Sequence, residues 1–403
     1  MVPELRRAFN AGFTAERYAA LLHDLDAAAG FPIEFRLCET PLFLADRLTA
    51  QLVEAANEIV AAVTSPAYLE EASRAVPPGL AVPGDEGRPV FLQVDFALVQ
   101  DPTAPGETGE IVPRLIELQG FPSLYGFQWL LDRGYRSHYP AMPAGWTPYF
   151  AGLDERTYVD CLRQVIVAGA DPENVILLEI EPEKQKTRVD FVLTERLVGI
   201  ETVGVDQVTV RGRELFYRKN GREVPIHRIY NRVIFDEATR KGLDLGPLFQ
   251  REIAATWVGH PNWFLKISKF SLPFLRSRYA PRSWFVSDLA ELPADLEHYV
   301  LKPLYSFAGH GVEVGVTAER LRSLERPQDY ILQQKVDYAP LVETPDVAAK
   351  AEVRMMFAWP EEDDRPRLIN NLVRMSKGAM MGVDFNKDKT WIGASQAYHA
   401  PSV

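Results

Sequence analysis

Apolar and polar residues alternate with different periods in different parts of this chain. From about residue 3 to 75 the period is helical, most clearly in AERYAALLHDLDAAAG and ADRLTAQLVEAANEIVAAV. In the second stretch Leu48, Leu52, Ala55 and Ile59 recur at three-to-four spacing, the stripe of a core-facing helix, and Asp46 is placed to cap its start. The stretch VPPGLAVPGDEGRP reads as a loop by its Pro and Gly content. Two strands follow, VFLQVDFALV and VPRLIELQG, and the turn-rich QDPTAPGETGE between them suits a hairpin.

From about residue 165 the pattern changes. VILLEI is a short apolar run of the kind buried in a parallel sheet, and DFVLTERLVGIETV continues in αβ style. QVTVRGRELFYRKNGREVPIHRIYNRVIF reads as a hairpin that turns at Asn220-Gly221. From about 260 a third region ends in the strand pair EVRMMFAW and RLINNLVRM. No internal repeat or low-complexity tract is present. The fold class is mixed α/β.

Composition narrows the picture. A chain of 403 residues that is 47% hydrophobic can bury a large core, and more than one domain is expected. The formal net charge of -11, with no long Lys/Arg run, argues against a nucleic-acid partner. Cys38 and Cys161 belong to no CxxC pair, which argues against a zinc ribbon or a disulfide framework. Seven histidines include no HxH or HExxH pairing. No apolar run approaches the roughly 20 residues a membrane helix needs, and the N-terminus has no apolar leader core. The expectation is a soluble, reduced, cytoplasmic protein without a membrane partner; an oligomer is compatible with it.

The chemistry concentrates in YVLKPLYSFAGHGVEVG. A strand delivers Lys302, a loop of small residues follows (Ser306, Ala308, Gly309 and Gly311), and Val312 to Val314 form a second strand. Such a loop lets backbone N–H groups approach phosphate oxygens, and a strand-borne lysine beside it neutralises them as a point charge. A glycine hairpin with a solvated lysine gives the same pattern. His310 could touch phosphate or be a solvated loop residue. The loop fits neither GxxxxGK[ST] nor GxGxxG. Upstream, HPNWFLKISKFSLPFL carries Lys269 beside Ser268; downstream, DYILQQKVDYAPLV runs into Gln333, Gln334, Lys335 and Val336, a strand end able to hold adenine by its edge and faces.

The order WFLKISKFSLPFL, LKPLYSFAGHGVEV, ILQQKV resembles the ATP-binding half of the glutathionylspermidine synthase-like ATP-grasp ligases, a family with a circularly permuted ATP-grasp order. The resemblance covers roughly residues 90–130 and 255–376. It implies ATP as cofactor, with Lys269 and Lys302 on the phosphates and Gln333 to Val336 as the adenine hinge. It implies Mg²⁺ ligands earlier in the chain, Asp95 in FLQVDFALV and Glu117 in PRLIELQGFPSLYGFQ, with Gln119 where the family has asparagine. Glu117 and Gln119 share a strand face, Asp95 lies on the paired strand, and two carboxylates with an amide oxygen are hard ligands suited to Mg²⁺; a polar strand face in solvent would look alike. Gln93 stands where the family tends to carry an arginine that stabilises the transferring phosphate. Arg36, Arg114, Arg232, Arg354 or Arg374 could supply that charge, and the sequence does not choose.

The stretch GFPSLYGFQ matches the family's region near the acyl-phosphate and acceptor, so Ser123 is a substrate candidate, against the simpler reading of a turn serine. Arg232, ending a strand beside Asp236 and Glu237, could pair with a carboxylate of the protein or of a substrate. Glu352 and Arg354 face one way on a strand, and Arg374 on the next strand would reach phosphate if that sheet closes over ATP. The chain then divides into an N-terminal helical region (1–80), metal and substrate strands (81–160), a Rossmann-like αβ region (161–255) and a nucleotide-binding part (256–403). The expected activity is an ATP- and Mg²⁺-dependent carboxylate–amine ligase acting through an acyl-phosphate on small-molecule or short-peptide carboxylate and amine substrates. The alternatives are nucleotide binding without ligation, and a small-molecule kinase.

Overall fold

The computed structural model describes the chain apart from residue 86 and residues 102–108, 306–310, 379–380, 382–385, 387 and 402–403. Its centre is a five-stranded antiparallel sheet. The strand order is Gly393–Ser395, Arg367–Ser376, Lys350–Ala358, Phe91–Asp101 and Glu110–Gln119. The hairpin read from VFLQVDFALV and VPRLIELQG thus lies beside the hairpin read from EVRMMFAW and RLINNLVRM, far away in sequence.

Alternation along these strands gives the sheet two unlike faces. Leu92, Val94, Phe96, Leu98, Val353, Met355, Phe357, Val373 and Met375 share one buried core with Leu48, Leu52, Ala55 and Ile59 of the Asp46–Val63 helix. Each of these buried side chains larger than alanine contributes on the order of 2 kcal/mol. The intervening positions Gln93, Asp95, Glu352 and Arg354 therefore fall on the opposite face. Ala45, not Asp46, caps that helix, with no side-chain cap bond; Asp46 lies in the first turn, where its charge favours the helix dipole instead.

One irregularity is needed to make the Glu110–Gln119 strand fit. Asp95 pairs with Glu117 but Phe96 pairs with Leu115, so Ile116 is an extra residue in the ladder. The bulge puts Leu115 and Leu118, three apart, into the same core while Glu117 stays beside Asp95.

A second antiparallel sheet, ordered Ser283–Phe285, Tyr330–Gln334, Tyr299–Pro303 and Glu313–Val314, contains the strand that delivers Lys302. Its outer face packs Leu301 and Leu332 on Leu296 and Leu321, while Phe285 and Ile331 join the main core. A third, parallel sheet is ordered Thr256–Val258, Arg228–Asn231, Val175–Glu179 and Glu201–Gly204, as VILLEI predicts. One face is covered by the Glu155–Ile166 and Arg188–Val198 helices. The other is covered by a three-stranded sheet whose hairpin turns at Asn220 and Gly221 with φ of 50° and 80°, as the Asn-Gly signal requires. Leu42–Phe43 pairs in parallel with Ala397–Tyr398 and ties the N-terminal helices to the end of the chain. Among the described residues no helix is long and apolar enough to cross a membrane.

Gly120 ends the Glu110–Gln119 strand against the segment that leads to Lys269. Its N–H donates to the Ile267 carbonyl at 2.8 Å, and an added Cβ would lie 2.6 Å from the Trp263 carbonyl oxygen. Gly120→Ala is expected to lower stability by about 2 kcal/mol, read as a lower urea midpoint at unchanged slope; an unchanged midpoint would contradict the close approach.

Candidate nucleotide and substrate site

The polar face of the large sheet is organised around Asp95, which is buried. Arg354, directly opposite on the neighbouring strand, grips it with two bonds, Nε to Oδ1 at 2.6 Å and Nη2 to Oδ2 at 2.7 Å. Its Nη1 donates to Gln93 Oε1 at 2.9 Å. Arg374 reaches Asp95 Oδ2 with Nη2 at 2.5 Å, forms an ion pair with Glu352, and lies 3.7 Å from Glu117. Tyr338 donates its hydroxyl to Glu352 at 2.5 Å. Burial alone would raise the Asp95 carboxyl, but Arg354 and Arg374 outweigh it and hold the group below the usual carboxylate range. At Glu352 burial wins, reinforced by Asp95 and opposed by Arg374, and its pKa is raised.

Two lysines approach the same carboxylates from the second sheet and its lead-in. Lys302 is buried and donates to the carbonyl of Ile116, the bulged residue, at 3.0 Å. Burial pushes its pKa down to about 8; Glu117 and Glu352 resist, and neighbouring Lys269 adds to the depression. Lys269 opens the Lys269–Phe274 turn, where Ser268 accepts from the Phe270 N–H at 3.2 Å. Burial lowers its pKa too, with Glu117 again opposing. Lys269, Lys302, Glu117, Asp95 and Arg374 thus come together from five separate segments.

Gly311 needs its glycine: φ is +70° and a Cβ would stand 3.0 Å from Pro303 Cγ. Ser306 and Gly309, with Ala308 and His310, lie outside the described residues. Of the hinge, Gln333 is buried within the ladder, and its Nε2 has no acceptor among the described residues. The N–H groups of Gln334 and Lys335 already donate to the carbonyls of Arg282 and His298. These two residues therefore offer carbonyls and side chains to an adenine, not the free N–H groups that a strand end suggests. Val336 packs with Ala97, Val99 and Val112, and a cavity of about 440 Å³ opens between Val99, Arg114, His298, Gln334, Lys335 and Val336.

The expected metal ligands Asp95, Glu117 and Gln119 do lie on adjacent paired strands. Their donor atoms do not suit Mg²⁺ as arranged. Both Asp95 oxygens are held by guanidinium groups, while Gln119 donates its amide nitrogen to Gln93, a bond that does not involve its ligating oxygen. Among the described residues no group of three acidic, histidine or cysteine side chains is arranged to hold an ion. Mg²⁺ demands near-octahedral oxygen ligation, and the Asp95 oxygens that would contribute to it already accept from Arg354 and Arg374.

The substrate candidates fall at the carboxyl ends of the parallel sheet, where open α/β sheets bind ligands. The carbonyl of Ser123 accepts from Gln93 Nε2 at 2.8 Å, a contact made by the backbone and not by the hydroxyl. Arg232 follows the Arg228–Asn231 strand, buried, with its guanidinium 4.8 Å from the Phe121 ring and 5.4 Å from that of Phe191. Its Nε and Nη1 have no acceptor among the described residues. Glu179 and Asp190 both lie within electrostatic reach of it. Burial raises Glu179 to about 8 against the pull of Arg232. Asp190, also raised by burial, accepts from the N–H groups of Leu124 at 2.9 Å and Phe127 at 3.0 Å, fixing the segment after Ser123. Sequence reading missed Glu179 and Asp190; their only trace is a carboxylate at the end of VILLEI and another at the start of a helix.

No family model matches this chain, and no curated protein does. Among solved structures, a glutathione synthetase-like effector (GSS30) from Globodera pallida in its apo form is similar, with a TM-score of 0.57 and 12% identity over 96% of both chains. The likeness runs the length of the chain and speaks for the fold: a mixed α/β architecture of the ATP-grasp type.

The depressed pKa of Lys302 carries a stability consequence. Below about pH 8 the ammonium is charged in both folded and unfolded chains, and its burial costs stability; the cost fades as pH rises from about 8 toward the ordinary 10.5, because the unfolded chain then binds more protons. Lys302→Met removes that cost and leaves the Ile116 carbonyl without its donor, for a net gain of about 2 kcal/mol at pH 7. Urea midpoints of both proteins at pH 7 and pH 10 should show the advantage of the variant shrinking; a constant difference would contradict the assignment.

Proposed function

We propose that this chain is an ATP-dependent ligase that joins a carboxylate to an amine. The observation that carries the reading is the convergence of Lys269 and Lys302 on the Asp95–Glu117 face of the large sheet, next to the Gln333–Val336 segment. On this reading ATP lies between the two antiparallel sheets. Adenine occupies the cavity beside Gln334 to Val336, and the lysines lie along the phosphates. Fixed cations of this kind stabilise charge as it moves onto transferring oxygens, without reorganisation at the moment of reaction.

The chemistry balances in two steps. A substrate carboxylate oxygen bonds to the γ-phosphorus, and the bond to the β–γ bridging oxygen breaks, releasing ADP. The amine nitrogen then bonds to the acyl carbon, phosphate leaves with the electron pair, and the amine proton passes to solvent. Arg232, with two nitrogens still to place in an aromatic slot, would hold a substrate carboxylate, and the segment around Ser123 would line the acceptor. Small-molecule or short-peptide acids and amines fit that chemistry.

A second reading, nucleotide binding without ligation, is favoured by one observation: Asp95 is held by two arginines. The two separate on the wild-type chain, which binds ATP on both readings but releases ADP only on the ligase reading. ADP release from ATP, across a panel of amino acids and short peptides with amine acceptors, is expected to fall at least about a hundredfold in Lys302→Met at unchanged circular dichroism. Unchanged turnover would remove the ligase reading. Product mass distinguishes an amide from a phosphorylated hydroxyl.

A further inference from the structure

The family resemblance implies a divalent ion, but a guanidinium is already seated among its ligands. Nη2 of Arg374 faces carboxylates from three different strands, Asp95 at 2.5 Å, Glu352 in an ion pair, and Glu117 at 3.7 Å. Arg354 closes the other edge of Asp95 with a bidentate grip. An entering ion would have to displace Arg374 from Asp95 and Glu352, and it would bring a double charge close to Arg354 and Lys302. The cluster does not lack cations: Lys269, Lys302, Arg354 and Arg374 are four against the three carboxylates Asp95, Glu117 and Glu352.

We propose that Arg374, backed by Arg354, takes the place of the divalent ion, so that the site binds nucleotide free of metal. The inference rests on the nucleotide-binding half of the reading above. Two features equip Arg374 for the role. Its side chain keeps 37% of its surface exposed while Asp95 and Glu352 keep 2% and 3%, so it is the member of the cluster that a ligand can meet. Its Nε is buried without an acceptor among the described residues, and Nη2 is the atom that makes its contacts with Asp95, Glu352 and Glu117. The remaining donors form the planar fork that matches phosphate oxygens. Arg354, nearly buried and with each of its three nitrogens bonded to Asp95 or Gln93, holds Asp95 in position for Arg374 and presents no such fork.

The test is calorimetric titration of the full chain with ATP, once in EDTA and once in excess Mg²⁺. The expected result is binding in EDTA as tight as in Mg²⁺ to within about threefold, and Arg374→Gln weakening the EDTA titration by about tenfold or more, with Mg²⁺ restoring part of the loss. Binding by the wild-type chain that EDTA abolishes or weakens more than about tenfold would overturn the inference and leave the ligase reading standing. Equal binding in EDTA by Arg374→Gln and wild type would overturn the role given to Arg374. Absence of binding in both buffers would remove the nucleotide reading and this inference with it. The two wild-type titrations decide the central claim even if the variant fails to fold.

Discussion

The pairing of Asp95 with Arg354 is the contact on which the arrangement of this protein depends. The two residues are 259 positions apart in sequence, yet they face each other across the junction between an early and a late hairpin. A buried ion pair is a poor source of net stability, because desolvation of both groups offsets their attraction; removing one partner, in contrast, costs about 3–5 kcal/mol. What this pair supplies is register. The side chains of a strand repeat every two residues, so a slip by one position at the junction would turn Val94 and Phe96 to the polar side and bury Asp95 without a partner. The apolar face on the Asp46–Val63 helix and the Asp95–Arg354 pair therefore enforce the same register from opposite sides of the sheet.

The bulge at Ile116 joins that sheet to the next. An extra residue in a ladder leaves backbone groups unpaired, and an unpaired carbonyl in the interior is costly. Lys302 resolves this by donating to the Ile116 carbonyl, and in doing so it brings its strand against the polar face. The ammonium is held in a place that depresses its own pKa, which makes it a ready partner for an anion: any phosphate arriving nearby offsets the cost of burying the charge. Fold and candidate chemistry meet in this one bond.

Much of this was legible in the chain. The strand alternation around Asp95, the hairpin turn at Asn220-Gly221 and the parallel character of VILLEI follow from local periodicity, and the structure keeps them. The resemblance brought together Asp95, Glu117, Lys269 and Lys302 although they lie far apart in sequence. What was not legible depends on pairings between distant strands. The sequence shows Arg354 two residues after Glu352 but cannot show that the Lys350–Ala358 strand lies beside Asp95. The bulge leaves only the odd spacing of Leu115 and Leu118, which a helix or a loop would also produce. Arg232 could be seen to end a strand, but its carboxylate neighbours come from another strand and from a helix of the same region.

The most informative departure from the family pattern is Gln93, and the structure explains it. Its Oε1 accepts from Arg354 and from Gln119, while its Nε2 donates to the Ser123 carbonyl. An arginine has five donors and no acceptor, so at this position it could accept from neither, and its charge would lie against that of Arg354. An arginine at position 93 would therefore leave Nη1 of Arg354 without its acceptor, and glutamine is the side chain that accepts on one end and donates on the other. The cation implied at position 93 is present one strand away. Gln93 now connects the arginine cluster to the Ser123 segment, so any movement of Arg354 on nucleotide binding has a hydrogen-bonded route to the region where a substrate would lie.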